Sequence, residues 1–271
     1  MKIIKEINQD ILDADICLIP TMGALHSGHL SLIDEGKKLG LQTMVSIFVN
    51  QMQFNEEDDF NNYPRPIEDD IKILQDLNID YLFIPENSYI YSENTFEIIS
   101  SGLLGKQYEG SSRPGHFDGV LTVVNRLFEL IKPRVVIFGK KDAQQLFLIK
   151  ELIFKKRWEI EIIAGKTIRE RSGLALSSRN LLLTDIGKEK AALLYTILKE
   201  AKLDFSDKRE LDAFEVFSSR YQDITIDYLE ILDLETFSTP TEQTEDYIIL
   251  IAATIEGVRL IDNIEFKLES V

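Results

Sequence analysis

Histidine is rare in this chain, and two of its three copies stand in one glycine-containing segment, PTMGALHSGHL. The segment follows a short apolar run at residues 16–20, which predicts a strand, and a helix should begin near Gly28. His26 and His29 would then lie with several backbone N–H groups at a helix N-terminus, where anions bind. An imidazole there can donate to a phosphate oxygen as negative charge grows, so the segment predicts a phosphate site.

Two other interpretations of the histidine pair stay open. The imidazoles could simply cap the turn before the helix and take no part in chemistry. They could also bind zinc, although no third ligand stands nearby at a usual spacing.

Cationic side chains stand at two further places where a phosphate could bind. Lys141 and Asp142 closely follow the apolar run at residues 135–138, just beyond the glycine that opens the turn. Arg179 lies in LSSRN, residues 176–180, where two hydroxyls and a guanidinium would make a compact anion clamp. The alternatives are a solvated lysine and a polar loop whose serines cap a turn.

Neutral amides and the third histidine stand beside other strand and helix ends. Asn50 and Gln53 follow an apolar run in FVNQMQF, and neutral amides suit the hydroxyl and carboxylate groups of a polar substrate. His116 lies in RPGHFDG before an amphipathic segment, so a second glycine-flanked imidazole is expected at a helix entrance. Gln145, four residues past Lys141, should share a helical face with it.

Two adjacent carboxylates, Asp69 and Asp70, are expected near the start of a helix. Negative charge is favourable there because of the helix dipole. The same carboxylates could instead help to hold Mg²⁺ through water, whereas no direct metal ligand is predicted.

The elements that must position these residues alternate over the first 165 residues. Apolar runs separated by helical patterns predict a parallel sheet with helices on both faces, and ligands of such folds bind at the carboxyl ends of the strands. The predicted strands span residues 16–20, 43–50, 81–84, 135–138 and 159–163. The predicted helices span residues 30–39, 67–77, 117–131 and 143–156.

The pattern changes beyond Lys166. Helices are predicted at residues 184–203 and 211–221, and extended runs at 226–234, 247–254 and 258–264. The extended runs are close enough in sequence to pair antiparallel. We therefore predict an α/β chain with a Rossmann-like parallel-sheet domain at residues 1–167 and a smaller C-terminal α+β domain at 168–271.

The composition argues against several classes of protein. A formal net charge of −16 argues against a nucleic-acid partner, because binding nucleic acid requires a basic surface. The single cysteine, Cys17, excludes an internal disulfide and a four-thiolate zinc site. No apolar run is long enough for a membrane-spanning helix, and residues 1–10 lack the apolar core of a signal peptide. We expect a cytoplasmic protein that acts on small molecules.

In their order along the chain, the motifs resemble those of one enzyme family. HSGH is similar to the HxGH element of nucleotidylyltransferases and class I aminoacyl-tRNA synthetases, and LSSRN resembles the second phosphate element of that superfamily. The whole series resembles the pantothenate synthetase (pantoate–beta-alanine ligase) family over essentially the full chain. Its motifs are PTMGALHSGHL, FVNQMQF, YPR, RPGHFDGVLTVV, FGKKDAQQL, GLALSSRN and RLIDN.

The resemblance implies a two-step ligase reaction in pantothenate and coenzyme A biosynthesis. Pantoate attacks the α-phosphate of ATP to give pantoyl adenylate and pyrophosphate, and the amine of beta-alanine then displaces AMP. The resemblance also implies a Rossmann-like domain with a smaller C-terminal lid, a homodimer, and ATP and Mg²⁺ as cofactors, with Mg²⁺ held mainly by ATP.

The resemblance also assigns roles to particular residues. The catalytic residues would be His29, His26, Lys141 and Arg179. The residues that contact ATP would be Met22, Gly23, Ala24, Leu25, His26, Ser27, Gly28, His29, Gly139, Lys140, Lys141, Asp142, Ile168, Leu176, Ser177, Ser178 and Arg179. The residues that bind pantoate or beta-alanine would be Gln53 and Gln145, with Asn50, Arg113, His116 and Tyr63 as further candidates.

Three residues depart from the family pattern. Gln51 stands where proline is usual, Lys140 replaces a common glutamate, and Ala143 replaces a bulky residue. These departures bear on the tuning of the site rather than on its chemistry.

Two other functions stay open. A nucleotidylyltransferase that moves AMP or CMP onto a phosphate would share the HSGH turn. It would also need extra cations to bind its phosphorylated acceptor, and the neutral Gln53 and Gln145 argue against that. A binding or regulatory protein that has lost catalysis would not need both histidines together with both cations. Stabilisation by pantoate with ATP would indicate the ligase, and a preference for CTP would indicate the transferase.

Overall fold

The computed structural model describes residues 1–55, 57–92, 96–208 and 213–268. The chain divides into two compact units, of which the first comprises Met1–Lys140 and Gln144–Lys166. The second comprises Lys141–Ala143 and Thr167–Val271, so a short segment around Lys141 groups with the C-terminal part. The roles expected for domains at 1–167 and 168–271 stay predictions. Every helix in the described ranges is too short or too polar to span a bilayer.

The first unit is built on a parallel sheet, as predicted. Its described strands are β1 (Lys2–Ile4), β2 (Ile16–Thr21), β3 (Gln42–Ile47), β4 (Tyr81–Phe83), β5 (Val135–Gly139) and β6 (Glu161–Gly165). Among the described residues, six strands pair in the order β1-β4-β3-β2-β5-β6, and all the pairings are parallel. The strand order reverses beside β2, so the carboxyl ends of β2 and β5 border the crevice where such sheets bind ligands.

Alternating side chains explain why helices cover both faces of this sheet. In β2, Ile16 and Leu18 belong to one buried core, whereas Cys17 and Ile19 belong to another. Successive side chains of a strand point to opposite faces, so an unbroken apolar run needs cover on both sides. The described helices are α1 (Gln9–Leu12), α2 (Ser27–Lys37), α3 (Glu57–Asn61), α4 (Ile67–Asp76), α5 (Asn87–Ile90), α6 (Glu109–Ser112), α7 (His116–Ile131) and α8 (Ala143–Lys156).

The apolar spacing of α7 gives the longest helix of the first unit. Val120, Val124 and Leu127 recur at helical spacing and are buried in the same core. The helix ends where Lys132 adopts a left-handed backbone conformation with φ of 49°, and the following Pro133 cannot continue it. The predicted helix at residues 117–131 is therefore confirmed, with one more residue at its start.

The second unit combines helices with an antiparallel sheet, as predicted. Its described elements are α9 (Asp185–Lys208), α10 (Ala213–Arg220), β7 (Thr225–Asp233), β8 (Asp246–Ile255) and β9 (Val258–Lys267). Within the described ranges the strands pair in the order β7-β8-β9, and residues of both helices and all three strands form a separate apolar core. The first residues of the helix predicted at 211–221 lie outside the described residues.

The pattern does not predict several short elements of the first unit, each of three to five residues: β1, α1, α3, α5 and α6. The other differences lie at element ends. The strand predicted at 159–163 is β6, whose limits follow from its pairing with β5, from Glu161 opposite Val135 to Gly165 opposite Gly139. Such limits depend on the neighbouring strand rather than on the local pattern.

Candidate active site

The predicted site residues of the first unit collect at the carboxyl ends of three strands. Residues 22–29 follow β2, Asn50 and Gln53 follow β3, and Gly139 ends β5. Because these strands are neighbours in a parallel sheet, their ends meet at one edge. This edge is the position that the alternation of strands and helices predicts for a ligand.

The histidine turn, residues 22–29, carries both imidazoles at the start of α2. His26 is the N-cap, and its Nδ1 accepts the N–H of Gly28 at 3.1 Å. Nδ1 of His29 accepts the N–H of His26 at 3.3 Å, and the ring centroids are 4.1 Å apart. Because each Nδ1 accepts, the proton of a neutral ring is on Nε2, which is then a donor. Capping and phosphate binding are therefore compatible, since they use opposite nitrogens.

A buried carboxylate from α4 holds the histidine turn. Asp70 is 2% exposed, and its oxygens accept the N–H groups of Ala24 and Leu25, each at 2.8 Å. Gly23 has a φ of +82°, and a Cβ atom there would lie 2.9 Å from Asp70 Oδ2. The carboxylate thus fixes the backbone of the turn, a structural task that the sequence did not indicate for this residue.

The two carboxylates predicted to hold Mg²⁺ through water have different surroundings. Asp69 is exposed and lies 3.4 Å from the ammonium of Lys72, whereas both oxygens of Asp70 bond the main chain. In the described part of the chain, no group of three or more His, Cys, Asp or Glu side chains is placed to hold a metal ion. The magnesium role of these carboxylates stays a prediction.

The amides predicted to bind the substrate form a buried hydrogen-bonded cluster. Asn50 Nδ2 donates to Gln53 Oε1 at 3.2 Å and to the carbonyl oxygen of Gly119 at 3.0 Å. Asn50 Oδ1 accepts the hydroxyl of Tyr91 at 2.7 Å. Gln53 Nε2 donates to Met22 Sδ at 3.1 Å, which connects the cluster to the histidine turn. The orientation of Gln53 is therefore set by partners on several elements.

The third histidine contacts the backbone beside these amides. His116 is 6% exposed, with Nδ1 2.7 Å from the carbonyl oxygen of Gln53 and Nε2 3.1 Å from Arg113 Nη1. Arg113 can only donate, so Nε2 accepts and Nδ1 donates its proton to the Gln53 carbonyl. The ring of Tyr63 packs edge-on against that of Phe54, with centroids 5.6 Å apart. Arg113, His116 and Tyr63 therefore all lie near the backbone at Gln53 and Phe54.

The turn after β5 holds Lys141. The N–H of Lys140 donates to the carbonyl of Gly165 at 2.8 Å, which extends the strand pairing, and α8 begins at Ala143, as predicted. Lys141 therefore precedes the helix, and the prediction that it shares a helical face with Gln145 is wrong. Gln145 itself is half-buried on α8.

In the second unit, Lys141 lies beside the LSSRN segment. Lys141, Ser177, Asn180 and Asp262 line one small cavity. The Lys141 side chain is 19% exposed, and its ammonium is 3.6 Å from the carboxylate of Asp142. The fold thus brings together two motifs that are far apart in sequence and were predicted separately to meet phosphate.

The LSSRN segment is shaped by its own side chains, as the capping interpretation predicts. Ser177 Oγ accepts the N–H of Arg179 at 3.3 Å and caps the 3-10 helix Ser178–Leu182. The N–H of Leu176 donates to the carbonyl of Ile168 at 2.9 Å, which pairs two residues predicted to contact ATP. Apart from its last residue the segment is half-buried, so its side chains remain accessible on a fixed backbone.

A buried ion pair anchors this segment to β9. Arg169 bonds both oxygens of Asp262, at 2.5 and 2.8 Å, and the carbonyls of Gly173 and Asn263, each at 3.1 Å. Its guanidinium carbon also lies 3.9 Å from the ring centroid of Tyr195. These contacts use most of the guanidinium within the fold, so Arg169 supports the segment rather than a ligand.

Sequence reasoning missed the residues that support the site. Asp262 and Asn263 are both buried in β9, where charged and amide groups need partners. The motif RLIDN includes both residues, and their polar character in an apolar strand was the available signal. Tyr91, the C-cap of α5, lies in no motif that marked it. Burial raises the pKa of its phenol, so the hydroxyl stays protonated and keeps its role as a donor to Asn50.

Known sequences match this chain over nearly its full length. The family described as pantoate-beta-alanine ligase matches residues 1–265. A pantothenate synthetase of Cytophaga hutchinsonii is 42% identical over 255 residues, which cover 91% of this chain and 89% of that protein. A pantothenate synthetase of Thermosipho africanus is 39% identical over 267 residues, covering 96% and 95% of the two chains.

Solved structures give the same result. Pantothenate synthetase from Thermus thermophilus has a TM-score of 0.87 at 34% identity, covering 97% of this chain and 99% of that one. Pantoate-beta-alanine ligase from Francisella tularensis, complexed with beta-gamma ATP and beta-alanine, has a TM-score of 0.81 at 35% identity, covering 100% and 99%. Since sequence and fold agree over nearly the whole length, the chain belongs to the pantoate–beta-alanine ligase family.

Proposed function

We propose that this chain condenses pantoate with beta-alanine at the expense of ATP, through a pantoyl-adenylate intermediate. The observation that carries the proposal is the histidine turn, where two imidazoles and the N-terminus of α2 lie at the carboxyl end of β2. Membership of the ligase family supports the choice of substrates, and the Francisella relative was solved with beta-gamma ATP and beta-alanine.

In the first step, a pantoate carboxylate oxygen attacks the α-phosphorus of ATP and the bond to pyrophosphate breaks. Negative charge grows on the phosphate oxygens during this displacement, and preorganised donors stabilise it. We assign this task to Nε2–H of His29, with His26 in support and the N–H groups of α2 adding a favourable dipole. The other residues of the histidine turn from Met22 onward would border the nucleotide.

The cations of the second unit suit the phosphate groups of ATP. Arg179 can bond two phosphate oxygens at once, and Lys141 provides a compact charge. Because the whole chain carries a formal charge of −16, a phosphate site depends on such local cations. Further nucleotide contacts are proposed for Gly139, Lys140, Asp142, Ile168, Leu176, Ser177 and Ser178.

The second step uses the amide cluster. We propose that Gln53 and Gln145 hold pantoate and that Asn50 orients Gln53, with Arg113, His116 and Tyr63 supporting the same loop. The amine nitrogen of beta-alanine attacks the acyl carbon of the adenylate, the bond to the AMP oxygen breaks, and the nitrogen loses a proton. Positioning is the main requirement here, because AMP is already a good leaving group.

Mg²⁺, location and assembly complete the proposal. Mg²⁺ would enter with ATP, held mainly by the phosphates, with Asp69 the more accessible of the two carboxylates. The need for ATP favours the cytoplasm. The lid role of residues 168–271 and the homodimer rest on the family resemblance, and light scattering of the purified protein would test the dimer.

The decisive experiment measures AMP and pyrophosphate release while ATP, Mg²⁺, pantoate and beta-alanine are each omitted in turn. The proposal requires that AMP release needs all four, and that pantoate without beta-alanine supports ATP–pyrophosphate exchange. Absence of both reactions in folded protein that binds ATP would overturn it. Preference for CTP and a phosphorylated acceptor would favour a nucleotidylyltransferase.

A further inference from the structure

One residue of β9, Asn263, connects Lys141 to the anchor of the LSSRN segment. Its side-chain Nδ2 donates to the main-chain carbonyl of Lys141 at 2.8 Å, and its main-chain carbonyl accepts from Arg169 Nη2 at 3.1 Å. Asn263 is 6% exposed, so water has little access to replace either bond. Both contacts therefore belong to the buried part of the second unit.

Arg169 carries this connection on to the LSSRN segment. Its ion pair with Asp262, which is 3% exposed, holds it to β9. Arg169 also pairs with Ala175 in an antiparallel bridge, and Leu176 bonds the carbonyl of Ile168 beside it. The segment that bears Arg179 thus begins directly after a backbone pairing that the ion pair fixes.

Lys141 groups with the second unit, to which Asn263 also belongs. Residues on both sides of Lys141–Ala143 belong to the first unit. Lys141 lies after β5 and before α8, so its carbonyl takes no part in the pairing of β5. The bond from Asn263 therefore holds this carbonyl in a place that local secondary structure does not set.

We propose that Asn263 is a positioning residue for Lys141. It ties the Lys141 backbone to the strand that also anchors residues 176–179, so the Lys141 ammonium and the Arg179 guanidinium keep a fixed spacing. Fixed spacing matters because charges stabilise a transition state best when they are in place before its charge develops. The inference rests on the phosphate roles proposed above for Lys141 and Arg179.

Two substitutions of Asn263 test this role. Asn263→Asp replaces the donor with an oxygen that faces the Lys141 carbonyl, and Asn263→Ala removes the donor without adding charge. Each should lower kcat of pantoate-dependent ATP–pyrophosphate exchange about tenfold, as loss of one hydrogen bond allows, while KM for pantoate is unchanged. In a Lys141→Ala background, the same substitutions should have little further effect, because residues that act together are not additive.

Ile249→Val is the matched control for stability. Ile249 is fully buried in β8, so the change removes a methyl group from the same sheet without touching Lys141. It should leave the exchange rate unchanged in both backgrounds. A loss of rate that Ile249→Val reproduces, or equal losses from Asn263→Ala with and without Lys141, would overturn the positioning role.

Failure to fold and failure of the proposed function can be told apart from failure of the positioning role. If Asn263→Asp does not fold, the comparison of Asn263→Ala in the two backgrounds decides the question. If the unaltered enzyme shows no pantoate-dependent exchange at all, the proposed function fails and takes this inference with it.

Discussion

The histidine turn and the LSSRN segment both bear groups proposed to bind phosphate, but the fold supports them in different ways. Asp70 holds the histidine turn by accepting main-chain N–H groups, including that of Ala24, 46 residues earlier. Arg169 and Asp262, 93 residues apart, hold the LSSRN segment through a buried pair of full charges.

Because of this difference, loss of each support should lower the free energy of unfolding by a different amount. Removing the Asp70 carboxylate leaves neutral N–H groups of the histidine turn without their acceptor, which costs about 1–3 kcal/mol. Removing Arg169 leaves an ionised Asp262 buried without its partner, and such a charge costs more. Measured stabilities of each unit therefore test whether the two supports differ in this way.

The largest effect on stability is expected for Arg169→Met. The free energy of unfolding of the second unit should fall by about 3–5 kcal/mol, because Asp262 loses its counter-charge. Denaturant unfolding with hydrogen exchange at β9 measures this loss. Arg134→Met is the matched control, since its pair with Asp15 is 63% and 66% exposed and should contribute at most about 1 kcal/mol. Similar small losses in both variants would contradict the anchoring role of Arg169.

The next effect concerns the chemistry of the second unit rather than its stability. Lys141→Ala and Arg179→Ala should each lower the rate of adenylate formation by roughly 10²–10³-fold, because each removes a charge that stabilises phosphate. Single-turnover assays with ATP and pantoate measure the rate. Lys166→Ala, at an exposed lysine, serves as the control. Near-normal rates in both active-site variants would show that these cations are not used.

The corresponding change in the first unit is Asp70→Asn. The remaining side-chain oxygen can accept one of the two N–H groups, but the amide nitrogen, itself a donor, faces the other N–H group. Stability should therefore fall by about 1–3 kcal/mol, and KM for ATP should rise. Asp69→Asn, at the exposed neighbour, should change neither quantity. If Asp69→Asn instead raises the Mg²⁺ requirement while Asp70→Asn is silent, the magnesium prediction is favoured over the structural role.

A smaller effect is expected for Tyr91→Phe, which removes the donor to Asn50 Oδ1. Stability should fall by about 0.5–1.5 kcal/mol, and KM for pantoate should rise because Gln53 loses part of its support. Tyr89→Phe is a matched control, since the Tyr89 hydroxyl bonds the N–H of Ile7, away from the amide cluster. A rise in KM in both variants would argue against a specific role of Tyr91.

The smallest effect is a pH dependence of the second unit. The hydroxyl of Thr244, together with the N–H groups of Thr236 and Glu235, lowers the pKa of Asp233. A lowered folded pKa gives stability that is present above the unfolded pKa of about 4 and is lost as pH falls through the folded pKa. Urea unfolding from about pH 6 to about pH 3 should show less acid sensitivity in Asp233→Asn. Identical pH profiles would exclude this contribution.

Much of the fold followed from local pattern. Unbroken apolar runs at β2 and β5 required cover on both faces, and the spacing of Val120, Val124 and Leu127 required a helix, whatever their partners. The ends of elements were less predictable. The pairing of β5 with β6 continues to Gly139, one residue past the predicted end of the strand, which only a neighbouring strand could decide.

The class of fold, the family, and the motifs that hold the histidines, Lys141 and Arg179 could be read from the sequence, because each motif consists of residues close together in the chain. What supports these motifs becomes visible only in the folded chain. Asp70, Tyr91, Arg169 and Asn263 act through partners distant in sequence, and such contacts form only when the packed elements bury those groups together. Local periodicity carries no record of which buried polar group meets which, so these supports had to be observed.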